Sequence, residues 1–187
     1  MMRFWQVAAI LCATASFLGA EEPGRAFVWD APKVVASVFT ADLGMLDSER
    51  DEYATNLATQ VSRQLTAAKA SPASLADSRR MLALALQLSP RNKRAVVVNF
   101  QLTMGILPGV TDSGYSQPVL ARLILIRGQL LLKQGGEENL RLARFFIQLA
   151  AEMDPKNEDA VYASEVQRLD HGAVDWTSIT DPAEQKP

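Results

Sequence analysis

Apolar residues recur at helical spacing along most of this chain, and prolines, glycines and short polar runs interrupt them. Leu57, Val61 and Leu65 share one face of a helix predicted from Asp47 to about Ala70, with Ser48 and Asp51 as its capping box. Ser71-Pro72 restarts the chain, since proline costs nothing in a first helical turn. The helix that follows carries Leu75, Met81, Leu82, Ala85 and Leu88. Ser89-Pro90 restarts it again, into Ala95, Val96, Val97, Phe100 and Leu102. Gly105 to Gln117, with three glycines and Pro108, reads as a loop. Three more helices are predicted near 117–134, 137–152 and 156–169, punctuated by Gly135-Gly136 and Asp154-Pro155. Upstream, Asp30 and Pro32 open a short helix through Val34, Val35, Val38 and Phe39 to about Gly44; the β-branched content also permits a strand.

Two stretches are apolar on most sides: Val96 to Leu107, and Leu123 to Leu132. Such helices are expected in the core, because exposed surface of this kind marks a partner site. A chain of 187 residues makes one compact domain with small extensions. Burying two such helices within it is difficult, which keeps homo-oligomerisation open.

The chain also aligns with itself. At an offset of 65 residues, 63–103 lies over 128–168, so that Leu65 meets Leu130, Ala85 meets Ala150, Pro90 meets Pro155 and Asn92 meets Asn157. Self-similarity at such a period points to stacked helical units that bury apolar faces against one another. The second unit resembles a tetratricopeptide repeat. Gly128 and Gly135 stand seven apart on its first helix, Ala143, Ile147, Ala150 and Pro155 follow on its second, and the turn Gly135 to Asn139 runs longer than the motif. The first unit keeps Ser78, Leu82, Ala85 and Pro90 but has Arg63 and Ala70 in place of the glycines. The resemblance implies an all-α fold: a short right-handed α-solenoid of about six antiparallel helices over 47–170, with extensions at 21–46 and 171–187. It further implies a non-enzymatic binding scaffold.

The first twenty residues stand apart. Arg3 precedes an apolar run from Phe4 to Leu18, then Gly19-Ala20 and the acidic Glu21-Glu22. That order describes a secretory signal peptide, and a large Leu18 near the cut leaves an uncleaved anchor as the alternative. Either implies export, to a periplasmic or extracellular place, with membrane contact through this segment. The lone cysteine, Cys12, lies inside the run, so a cleaved chain has no thiol chemistry or disulfide.

Catalytic motifs are missing: no phosphate loop, nucleophile elbow or zinc-binding histidine pair occurs. No enzyme activity, cofactor or metal is therefore expected. His171 beside Asp170 fits a polar helix end better than a general base. Asp42, Asp47, Glu49, Asp51 and Glu52 lack the glycine of a calcium loop.

Charge is distributed unevenly: net −4 over 21–77, +7 over 78–136 and −6 over 137–187. The basic centre implies either an anionic partner or pairing with its acidic flanks. Export and the lack of interleaved aromatics disfavour nucleic acid. Arg79, Arg80, Arg91 and Arg94 are the candidate contacts for a protein or peptide partner, an acidic one in particular. Trp176 either caps the last helix pair or anchors a docking segment. The expected function is an envelope adaptor for protein–protein interaction; the alternative is an oligomeric or membrane-surface structural protein using the apolar central helices.

Overall fold

A computed structural model describes residues 27–34, 37–40, 42–111 and 114–182. The expected signal segment at 1–20 with Cys12, as well as Val35 and 183–187, lies outside the described residues. Those described form seven helices and no strand: α1 Asp47–Ala67, α2 Pro72–Leu88, α3 Lys93–Thr103, α4 Gln117–Gln134, α5 Glu137–Met153, α6 Glu158–His171 and the single turn α7 Thr177–Thr180. The protein is all-α.

Local chemistry explains most boundaries. The Ser71 hydroxyl accepts from the Ser74 N–H and Pro72 follows at the first helical position, so α2 starts where expected. α3 starts three residues beyond Pro90, because the cap is Asn92, whose side chain accepts from the Ala95 N–H at 3.0 Å. Asn157 does the same for α6, accepting from Ala160 at 3.2 Å. Two boundaries differ from expectation. The Ser48–Asp51 capping box does not form, since Asp51 instead accepts from Ser89 Oγ and Asn92 Nδ2, both at 2.8 Å, and ties α1 to the α2–α3 turn. The helix expected from Asp30 to Gly44 is also not there; its described residues are irregular. Their backbone groups find distant side chains instead: Val38 N–H donates to Gln87, Thr40 N–H to Glu138 and Gly44 N–H to Asn139. Arg50 gathers several of the remaining carbonyls, donating to Leu88, Thr40 and Phe39.

α1 packs on α2, α4 on α5 and α5 on α6, while α3 lies mainly on α1. Leu57, Leu65, Leu82, Leu84, Ile124 and Phe146 are among the fully buried core side chains. Gly128 lets α4 approach α5 closely: a Cβ there would stand 2.9 Å from Ile147 and 3.2 Å from Phe146 Cβ. Side chains join α1 to the second half of the chain. Tyr53 stacks on Phe146 at 5.3 Å, Gln60 donates to Gln117 at 2.8 Å, and Arg127 donates to Glu49 at 3.0 Å and to the Gly44 carbonyl at 2.6 Å.

The two ends of the described chain meet on α2. Lys33 N–H donates to the Thr180 carbonyl at 2.8 Å, Gln87 donates to the Ile179 carbonyl, and α7 packs against α2.

Candidate functional site

The two apolar stretches expected in the core are only half buried. Val98, Leu102, Ile124, Leu125 and Leu131 are core residues, whereas Val96, Val97, Phe100, Met104, Ile106, Ile126 and Leu130 are exposed. The difference is geometric. α4 packs on α5 through Gly128 and its neighbours, which turns the opposite stripe, Val119–Leu123–Ile126–Leu130, outward. These residues follow one another by four, three and four positions and share one helix face. Ile126 is 56% exposed, Val119 47% and Leu130 46%. Arg122 and Lys133 are exposed beside them, and α4 contains no acidic residue. The stripe combines apolar area with positive charge, the chemistry that takes an amphipathic acidic segment. Periodicity alone could not identify it, since a helix apolar on all sides does not reveal which side its neighbours leave bare.

The basic residues singled out from the sequence have different surroundings. Arg79 makes a bidentate contact with Asp181 at 3.0 and 2.9 Å, and its Nε reaches Asp30. The Arg79 guanidinium holds the Asp181 carboxyl below the usual carboxylate range. Arg80 pairs with Glu152 at 3.0 Å and Asp77 at 2.7 Å, and its guanidinium lies 5.2 Å from the Trp176 ring. Arg94 donates to Ser62 Oγ and the Gly109 carbonyl. Arg91 is exposed. The four do not gather on one surface: three serve contacts within the chain. Trp176 packs edge-on against Phe145 at 5.0 Å, joining the C-terminal turn to α5.

An open groove of about 520 Å³ lies between the C-terminal half of α1 and the start of α4. Gln60, Arg63, Gln64 and Gln117 line it with amides and a guanidinium, and no histidine, cysteine or carboxylate stands among the described residues around it. His171 is the last residue of α6, where its backbone carbonyl accepts from Arg144 at 3.1 Å. Three of the five acidic residues near the start of α1 are engaged, Glu49 with Arg127, Asp47 with Arg50, and Asp51 with Ser89 and Asn92, while Asp42 and Glu52 are exposed. Among the described residues, no group of three or more metal-binding side chains is assembled, and no helix is long and apolar enough to cross a membrane.

No family model, no curated protein and no solved structure matches this chain.

Proposed function

We propose that this chain is a non-enzymatic interaction scaffold that holds a segment of another protein against the outer stripe of α4. The exposed Val119, Ile126 and Leu130 with the half-buried Leu123 between them, flanked by Arg122 and Lys133, carry this reading. The preferred ligand is an amphipathic helix with acidic residues beside its apolar face. The tetratricopeptide-like architecture belongs to the same proposal. Short turns at 68–71 and 135–136 support helix pairs of opposite direction within each half. Between the halves, α1 meets α4 in reversed order, Glu49 with Arg127, Tyr53 with Leu123 and Gln60 with Gln117. A continuing solenoid would stack equivalent helices in the same direction. The solenoid reading is therefore best kept for each three-helix unit, with the two units face to face through α1 and α4. The apolar run Phe4 to Leu18 supports action in the cell envelope.

A photo-crosslinking residue at Ile126, in intact cells, tests the function. A discrete adduct with a second protein is expected, lost when Leu130 is replaced by Asp and not formed when the crosslinker stands at the exposed Thr66. Adducts with lipid alone, or the same adducts from both positions, would overturn it.

A further inference from the structure

The outer surfaces of α3 and α6 are related by the same 65-residue offset that relates their caps. Each helix buries the alanine three residues past its asparagine cap, Ala95 and Ala160, and turns the next two residues outward. Those are Val96 and Val97 on α3, Val161 and Tyr162 on α6, all exposed. Two turns on, Met104 and Leu169 are exposed at matching positions; between them α3 has Phe100 at 65%, where α6 has Glu165 paired with Arg168. Tyr162 and Leu169 are each 74% exposed, far more open than an apolar side chain needs to be. The third helix of each unit therefore ends its stack with an uncovered apolar face.

The charges at the two faces are opposite. Arg91 and Lys93 stand exposed at the start of α3, whose first turn contains no acid, and neither forms an ion pair among the described residues. Cations at a helix N-terminus are opposed by the dipole, so that end of α3 gains from a carboxylate brought to it. On α6, Glu158 stands where α3 has Lys93 and Asp159 follows it, both exposed, while the exposed Lys156 stands where α3 has Arg91.

We infer that copies of this chain associate head to tail, with the α3 face of one seated on the α6 face of the next. With the two helices side by side and pointing the same way, Arg91 and Lys93 meet Glu158 and Asp159, and Phe100 and Met104 meet Tyr162 and Leu169. Set parallel, α3 on α3 brings basic residues together and α6 on α6 brings acidic ones together, whereas the parallel mixed pair is complementary. Because the two faces differ, the contact does not close on itself in a dimer and adds further copies, giving short chains or a ring. An anionic lipid surface would explain the basic α3 face but would repel the acidic α6 face. This association uses neither α4 nor its stripe, so it stands or falls apart from the scaffold function.

Sedimentation velocity on the full chain, in one non-ionic detergent throughout, tests the inference. The native chain is expected to move from its 20.4 kDa monomer to larger species as concentration rises through the micromolar range. Arg91→Glu with Lys93→Glu in one chain, and Glu158→Lys with Asp159→Lys in another, should each weaken association at least tenfold. An equal mixture of the two should assemble again, since every interface in it pairs opposite charges. Phe100→Ser removes apolar area at an exposed site without touching the core and should also weaken association at least tenfold, with helicity unchanged. A native chain that stays monomeric overturns the inference. So does a dimer that survives in one charge-reversed variant, which would mean a symmetric contact. In detergent-free buffer, monomers that co-sediment with phosphatidylglycerol vesicles through Phe100, and without Tyr162, would assign the α3 face to lipid instead and likewise overturn it.

Discussion

α1 and α4 are each followed by a short turn and a helix packed against them, yet their corresponding faces carry opposite chemistry. Counted back from their last residues, Ala67 and Gln134, the stripe Leu123, Ile126 and Leu130 of α4 falls on Asn56, Thr59 and Arg63 of α1. On α1 that face is polar and the chain itself covers it. Arg63 donates to the carbonyls of Thr111 and Tyr115, and Gly114 lies against Asn56 and Thr59. On α4 the face is apolar and open. The sequence register of 65 residues hides this contrast, because it aligns Leu65 with Leu130. Leu65 is fully buried and Leu130 is 46% exposed. The turns explain it: 68–71 is two residues longer than 135–136, so the offset that holds for α2 and α5 fails for the helices before them. Two residues amount to about 200° of rotation on a helix, enough to exchange core for surface.

Substitutions at paired positions test the contrast. Leu65→Ala should cost about 4 kcal/mol by denaturant titration, the range for truncating a fully buried leucine. Arg127→Ala weakens the α1–α4 contact by removing the partner of Glu49 and of the Gly44 carbonyl. Its expected cost is about 2 kcal/mol, less than for a fully buried pair because Glu49 is partly exposed. Gly128→Ala should cost about 1.5 kcal/mol, the overpacking against Ile147 and Phe146 exceeding the gain in helix propensity. Tyr53, at the α1–α4 contact, is pushed up to about 12 by burial and by the neighbouring Glu49. The unfolded chain ionises near 10, so the folded state keeps the proton longer. Tyr53's contribution is thus complete below pH 10 and lost as pH rises through about 12. Tyr53→Phe should flatten that part of the alkaline stability curve. Leu130→Ala closes the series with the smallest effect, within about 0.5 kcal/mol of the native chain. A cost near that of Leu65→Ala would mean that the α4 stripe is core, and the contrast would fail.

Where the relevant chemistry is local, the fold was legible in the sequence. Ser71-Pro72 marks the start of α2, Asn92 and Asn157 cap matching helices, and Gly135-Gly136 separates α4 from α5. Misreadings arise where a distant partner decides. Val34, Val38 and Phe39 have a helical look, but Gln87, Glu138 and Asn139 offer partners to the backbone around them from 49 to 98 residues away. Ser48 and Asp51 have capping-box spacing, but Asp51 serves Ser89 and Asn92. The candidate site was legible only in part. Its residues stand within a stretch that sequence marks as unusually apolar, while the side left bare depends on how α4 turns against α5.

The meeting of the chain's two ends on α2 has a consequence in time. Arg79 grips Asp181 across a separation of 102 residues, and Lys33 reaches Thr180 across a longer one. A chain emerging from the ribosome holds Arg79 and Gln87 long before their C-terminal partners exist. Lys33 and Arg79 thus gain these partners only after residues 180 and 181 have been made, and the pairing waits on that stage of synthesis.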